Sequence, residues 1–300
     1  MDEQQLLAER FEAHRGRLRT VAYRMLGSVP EADDAVQEAW LRISRADSAA
    51  VDNLGGWLTT VVARVCLNML RARARRPGES IDGRVPEPII DRADGMDPEH
   101  EALLGDSVGL ALLVVLETLA PAERVAFVLH DVFAVPFEEI APVVGRSPTA
   151  TRQLASRARR RVRGVAPEPD RDLEEQRTVV DAFIAAVRGG DFEGLLAVLD
   201  PDVVLRADGG GRWVGATREI RGAETVARSA LTITLRLTGF DVRRALVNGA
   251  AGIVSRDESG QPFSVMGFTV CAGRIVEIDV LADPERLRRL DLTVLDRPPI

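Results

Sequence analysis

FEEIAPVVGRSPTATRQLASRARRRVR, Phe137 to Arg163, reads as a helix, a tight turn and a second helix. In its first half Phe137, Ile140, Ala141 and Val144 recur at helical spacing, and Gly145 stands where a left-handed residue ends a helix at least cost. Ser147 offers an N-cap and Pro148 a first helical residue. Leu154, Ala155, Ala158 and Val162 supply the inner stripe of the second helix, and Thr149, Arg152, Gln153, Ser156, Arg157 and Arg160 lie outward. Arg and Gln near the start of such a helix suit base edges in a major groove, and later arginines suit phosphates. The stretch 152–163 holds six arginines and no acid, so the opposite charges that usually pair along an exposed helix are missing. That predicts a DNA-binding helix-turn-helix. Pro142 is the discordant residue, because a proline inside a helix costs about 3 kcal/mol unless the helix is short or kinked there.

Upstream, LALLVVLETL and a helix begun by Pro121 complete an all-α module over 106–166. Residues 81–105 hold Pro86, Pro88 and Pro98 with seven acids and show no sustained period, so they are read as an acidic linker. Before it, three helices are expected over 1–80: one from 6 to 26, one starting near Glu31, and one opened by Trp57. The second displays Asp33, Asp34, Gln37 and Glu38 from its first turns. On the third, Trp57, Leu58, Val61, Val62, Val65, Cys66 and Met69 form one wall, and Thr60, Arg64, Asn68, Arg71 and Arg75 the other. A basic face interspersed with neutral polar groups suits melted DNA, with charge for the backbone and uncharged groups for the bases.

Downstream the period changes. After a charged linker at 167–175, helices are expected at 174–188, 191–199 and 222–230, then strands near 242–248, 250–256, 263–271 and 274–281. Asn248-Gly249, Ser259-Gly260 and Ala272-Gly273 are the hairpin turns between them. Helices followed by an antiparallel meander predict a separate α+β domain over 176–300.

Composition agrees with several globular domains: 300 residues, 46% apolar. No run approaches ~20 apolar residues, the N-terminus is acidic and amphipathic, and only two cysteines are present, so a cytoplasmic protein outside the membrane, without a disulfide framework, is expected. The net charge of -7 is uneven: residues 84–105 carry -4, and residues 106–167 carry +2. A local patch rather than the average decides what a nucleic acid meets. There is no lysine, so every fixed side-chain cation is an arginine.

The stretches EADDAVQEAWLRI (31–43), GWLTTVVARVCLNMLRARARR (56–76) and LAPAERVAFVLHDVFAVPFEEIAPVVGRSPTATRQLASRARRRV (119–162) resemble an extracytoplasmic-function sigma factor, the promoter-recognition subunit of bacterial RNA polymerase. Residues 176–300 look like a SnoaL-like domain of the NTF2-like cone fold, the pairing found in sigma factors with a C-terminal SnoaL extension. That group's linker motif is present as Pro86, Glu87 and Pro88, with Arg84 and Val85 in place of an aromatic-aliphatic pair. Its glycine-rich motif is present as Asp208, Gly209, Gly210, Gly211 and Arg212, and a motif after the last strand as Ala282, Asp283, Pro284, Glu285, Arg286 and Leu287.

The resemblance implies a multidomain chain, with a region 2 helical bundle, a region 4 helix-turn-helix and an α+β cone. It places Asp33, Asp34, Gln37 and Glu38 against core RNA polymerase. Loop 44–56, including Asn53, would hold a flipped base of the minus-10 element, and Thr60, Arg64, Asn68, Arg71 and Arg75 would contact the melted strand. Thr149, Arg152, Gln153, Ser156, Arg157 and Arg160 would read the minus-35 element of promoter DNA. The PEP and DGGGR residues would regulate in cis, through a tethered domain at high effective concentration. No covalent chemistry, cofactor or metal is implied, and any small ligand of the C-terminal domain is unidentified. Two alternatives stand beside this reading: a ligand-responsive helix-turn-helix regulator, and an enzyme using Asp208, Glu277 or Asp279 as acid or base in the cone, with Glu277 and Asp279 otherwise on a polar outer strand face.

Overall fold

Ser28 begins the second helix by accepting a hydrogen bond from the Glu31 N–H at 3.4 Å, and Asn53 begins the third by accepting from Gly56 N–H at 3.0 Å. The computed structural model describes residues 3–44, 53–75, 84–104, 109–165, 169–210, 217–234 and 239–296. The chain folds into two compact units, Met1–Ile81 with Val115–Val165, and Asp82–Val114 with Ala166–Ile300.

In the first unit α1 (Glu3–Leu26), α2 (Val29–Ile43) and α3 (Leu54–Arg73) pack on one another through Phe11, Leu18, Ala35, Ala39, Leu58 and Val62. The third helix therefore starts three residues before Trp57, because Asn53 rather than the tryptophan sets its first turn. Its buried face is broader than the sequence predicts and takes in Ala63, Leu67 and Leu70, since a second set of helices covers it. These are α6 (Pro121–Phe127), which runs on into a π-helical turn at Val128–Val132, and α7 (Phe137–Val144). The cost of Pro142 is limited by length: α7 has eight residues and ends two residues later, with Gly145 at φ +70°. Helix α8 (Pro148–Val165) follows, packing Ala155 and Ala158 against α6 and α7.

The chain passes from the second unit to the first within α5 (Leu110–Glu117). The second unit is built on a seven-stranded sheet of order β1-β4-β5-β6-β7-β2-β3, in which only β2 and β7 run parallel. Strands β4 (Asp241–Val247), β5 (Ala250–Arg256), β6 (Pro262–Cys271) and β7 (Arg274–Leu281) form the expected meander, turned at Asn248-Gly249, Ser259-Gly260 and Ala272-Gly273. Strands β2 (Leu199–Asp208) and β3 (Thr217–Arg221) extend it. Helices α9 (Leu173–Gly189), α10 (Phe192–Val198) and α11 (Ala223–Thr234) cover one face, over a core of Val180, Phe183, Leu195, Phe268, Ile275 and Ile278. A second core, with Val85, Ile90, Leu110, Val265, Leu281 and Leu287, lies on the other face, near the short α12 (Pro284–Leu287).

The expected linker at 81–105 differs most from its reading. Within it, residues 84–104 are part of the second unit. Ile90–Arg92 is strand β1, paired antiparallel with the edge strand β4 at Ile90↔Val247, Asp91↔Leu246 and Arg92↔Ala245, and Pro98–Leu104 is helix α4. The Asn248 side chain accepts from Ile89 N–H at 2.8 Å, and its own N–H donates to Ile89 C=O at 2.8 Å. Acidity and prolines conceal a strand whose backbone groups are satisfied by a sheet strand about 155 residues further along the chain.

Candidate nucleic-acid interface

Helix α8 carries its candidate residues on one exposed side. Thr149, Arg152, Gln153, Ser156, Arg157 and Arg160 are all exposed, while Thr151, Ala155 and Ala158 are buried beneath them. Ser147 accepts from Ala150 N–H at 3.2 Å, and Thr151 Oγ1 donates to Ser147 C=O at 2.9 Å, so the first turn is fixed from both sides. The sequence reading found no acid to pair with this face; the fold brings two. Glu123 of α6 pairs with Arg157 at 3.0 Å and Arg161 at 3.1 Å, and Asp131 pairs with Arg159 at 2.5 Å. The Arg152 guanidinium lies 5.2 Å from the centre of the Phe137 ring, which aligns it without neutralising it.

On α3, Arg64, Asn68 and Arg71 are exposed and Thr60 is half-buried, donating to Trp57 C=O at 2.7 Å; Arg75 is exposed too, but it lies in the turn just past the helix end rather than on its face. Arg64 donates to Pro142 C=O of α7 at 3.2 Å. Asn53 is the N-cap, and residues 45–52 of the expected base-holding loop lie outside the described residues. Arg73, at the end of α3, was missed by the sequence reading. It joins Glu31 of α2 by a short contact, donates to Leu26 C=O and lies 3.6 Å from Glu117, which pairs at 3.0 Å with the fully buried Arg124 of α6. On α2, Asp34, Gln37 and Glu38 are exposed; Asp33 is held by Arg19 at 2.6 Å, and Glu38 by Arg42 at 2.8 Å.

In the second unit three separate motifs converge on Arg286. This buried side chain donates to Glu87 at 3.1 Å, Asp208 at 2.6 Å and Val85 C=O at 2.6 Å. Glu87 is 1% exposed, and Pro86 and Pro88 beside it are buried. Asp283 caps α12 by accepting from Glu285 and Arg286 N–H groups, which aims Arg286 at the cluster. Gly210, at φ +53°, lies so close to Asp283 that a Cβ would come within 2.5 Å of its carboxyl carbon, so only glycine fits. Gly209 is buried, and Gly211 and Arg212 lie outside the described residues.

The outer-face reading of Glu277 and Asp279 is corrected: both are buried. Arg206 of β2 pairs with Glu277 at 2.9 Å and Asp279 at 3.3 Å. Burial pushes the Asp279 carboxyl up to about 7 against the pull of Arg206, and burial opposes the Arg206 charge less than its two acids favour it. Strand alternation sends Asp208, Glu277 and Asp279 to the face opposite the cavity lined by Leu205, Ala207, Ile278 and Val280, so none of the three candidate acids reaches that space. Among the described residues no cluster of three or more His, Cys, Asp or Glu could hold a metal ion, and no described helix is long and apolar enough to cross a membrane.

Residues 10–76 match the model of sigma-70 region 2, and residues 109–162 match sigma-70 region 4. The ECF RNA polymerase sigma factor SigJ of Mycobacterium tuberculosis (strain ATCC 25618 / H37Rv) is 41% identical over 278 residues, covering 90% of this chain and 86% of that protein. The probable ECF RNA polymerase sigma factor SigI of the same strain is 33% identical, covering 96% and 97%. The crystal structure of the M. tuberculosis factor SigJ superposes with a TM-score of 0.75 at 35% identity, covering 95% of this chain and 99% of that one. With both sigma-70 regions in order, and full-length relatives matched through the α+β unit, the chain belongs to the extracytoplasmic-function RNA polymerase sigma factors.

Proposed function

We propose that this sigma factor works by separating two arginine-bearing surfaces, and that its C-terminal unit controls the separation by holding the tether between them. Asp34, Gln37 and Glu38 on α2 meet core RNA polymerase, with Asp33 joining them once released from Arg19. The α3 face of Thr60, Arg64, Asn68 and Arg71, with Arg75 just beyond the helix and Asn53 at its start, contacts the melted minus-10 strand. The outer face of α8 enters the major groove at the minus-35 element, with Arg152 and Gln153 nearest the bases. Association with polymerase places this work in the cytoplasm.

One observation supports the control step. Arg64, a candidate minus-10 contact, is engaged by α7 of the helix-turn-helix, so the two DNA-binding surfaces belong to one closed unit. Reaching both promoter elements requires that unit to open, and the opening is limited by the chain between α3 and α5. Docking residues 84–104 on the C-terminal sheet withdraws 21 residues from that tether, worth ~70 Å at full extension. Pro86, Glu87 and Pro88 supply the docked edge, and Asp208, Gly209 and Gly210 supply the surface that receives it. Releasing Glu87 from Arg286 lengthens the tether and shifts the population toward the promoter-competent state.

In vitro transcription with core polymerase tests this. A chain ending at residue 175 should yield severalfold more promoter-dependent transcript than the full chain. Equal yields would remove the cis-regulatory step, and no transcript from either would remove the promoter assignments.

A further inference from the structure

The cone holds a cavity of about 220 Å³ between α9, α11 and the sheet. Its walls are hydrocarbon, with Phe183, Phe240, Phe263, Met266 and Ile278 prominent, and it is kept open by two alanines, Ala207 and Ala230, at positions where larger side chains would fill it. Ile233 on its lining is 42% exposed, one of two large apolar side chains so exposed among the described residues, and marks an apolar mouth. Dry apolar cavities of ~150 Å³ accept benzene, so this one has room for about two fused rings.

Among the described residues two polar side chains face the interior. Ser255 and Ser264, 6% and 2% exposed, are cross-strand partners on β5 and β6, with Oγ atoms 2.6 Å apart. With Ser255 Oγ donating to Ser264 Oγ rather than to the more distant Ser264 C=O at 3.5 Å, the Ser264 hydroxyl keeps a proton to offer inward. Among the described residues Arg188 is the only charged one on the lining and is exposed at the rim, while Asp208, Glu277 and Asp279 lie behind the sheet. An ionised group inside would therefore be buried without a partner.

We infer that this cavity binds a small, uncharged, two-ring apolar molecule bearing one oxygen, which the Ser255–Ser264 pair hydrogen-bonds. Occupancy has a route to the tether. Leu205 and Ala207 of β2 line the cavity, and between and beyond them Arg206 and Asp208 face the other way, Asp208 onto Arg286 and so onto Glu87. That route rests on the tether reading above; the binding site does not.

Calorimetric titration of the full-length protein with 2-naphthol, naphthalene and 2-naphthoate tests the site. 2-Naphthol should bind ~5–10-fold more tightly than naphthalene, the value of one hydrogen bond. Ser264→Ala should abolish that preference, and Ala230→Phe and Ala207→Leu, each checked by its melting curve, should weaken both ligands more than tenfold. The site is overturned if neither neutral probe binds or if both filled variants bind as the parent does. It is equally overturned if 2-naphthoate binds most tightly and loses that advantage in Arg188→Ala. Glu87→Gln should alter 2-naphthol affinity by linkage; an unchanged affinity leaves the site standing and overturns only its connection to the tether.

Discussion

Arg152 on α8 and Arg286 on α12 are the same side chain put to opposite uses. Arg152 is exposed, rests against the Phe137 ring and keeps its charge available; Arg286 is buried, with Glu87, Asp208 and Val85 C=O taking its donors. A guanidinium in water is weakly committed, and a partner can recruit it at little cost. A guanidinium in a dry cluster is committed to neighbours that would be stranded without it. In a chain whose fixed cations are all arginine, burial rather than residue type divides recognition from architecture.

The largest test of that division is Arg286→Ala. It removes the nearest cation of the buried Glu87 and Asp208, Glu87 keeping the more distant Arg289 at 3.8 Å, and should cost about 3–5 kcal/mol in urea unfolding of the C-terminal unit. A cost below about 1 kcal/mol would make Arg286 equivalent to a surface arginine and break the comparison. Next comes Arg152→Ala, which should weaken holoenzyme binding to a minus-35 promoter fragment by about 1–3 kcal/mol while changing stability by no more than about 0.5 kcal/mol. Anisotropy titration beside a melting curve separates the two, and a large stability loss with unchanged binding would reverse the roles.

The smallest effect sharpens the buried side. His100 of α4 contacts the buried carboxylate of Asp91 on β1 at 2.8 Å, and that hydrogen bond raises the imidazole pKa, helped by the nearby Asp97 and Glu99. Because the folded pKa lies above the unfolded one, the pair's contribution is complete below pH ~6.5 and disappears as pH rises through the raised value. Tether docking should weaken by up to about 1 kcal/mol across that window, read as faster amide exchange at β1. His100→Gln should remove the pH dependence, and an unchanged profile would place the titration elsewhere.

Much of this is legible in the order of residues alone. The helix-turn-helix, its capping residues and outward face, and the hairpin meander with its three turns all depend on neighbours a few positions away, and local periodicity reports them. The exposure of Arg64, Asn68, Arg152 and Gln153 followed from the same periodicity. The DGGGR and ADPERL motifs were recognisable as motifs, but nothing in them announced that they meet. Three further features stayed hidden because their causes are nonlocal. The three-residue strand β1 exists only as an addition to the edge of β4. Strand β2 has Pro201 near its start and pairs in parallel with β7, which lies some 70 residues further along the chain, so no adjacent turn marks that pairing. The Arg73, Glu117 and Arg124 network joins helices from both halves of the first unit.

By itself, then, the order of residues determined which segments are helices, which are hairpins and which faces are basic, because those are set by backbone preference and spacing within about one turn or one strand pair. Tertiary structure alone decided which charges are spent. It brought Glu123 and Asp131 to the arginines of α8, gathered Glu87, Asp208 and Arg286 across some 200 residues, and turned an acidic linker into part of a sheet. The reason is physical: the strength and sign of a charge's contribution depend on its distance from water and from its partner, and both are properties of the folded chain.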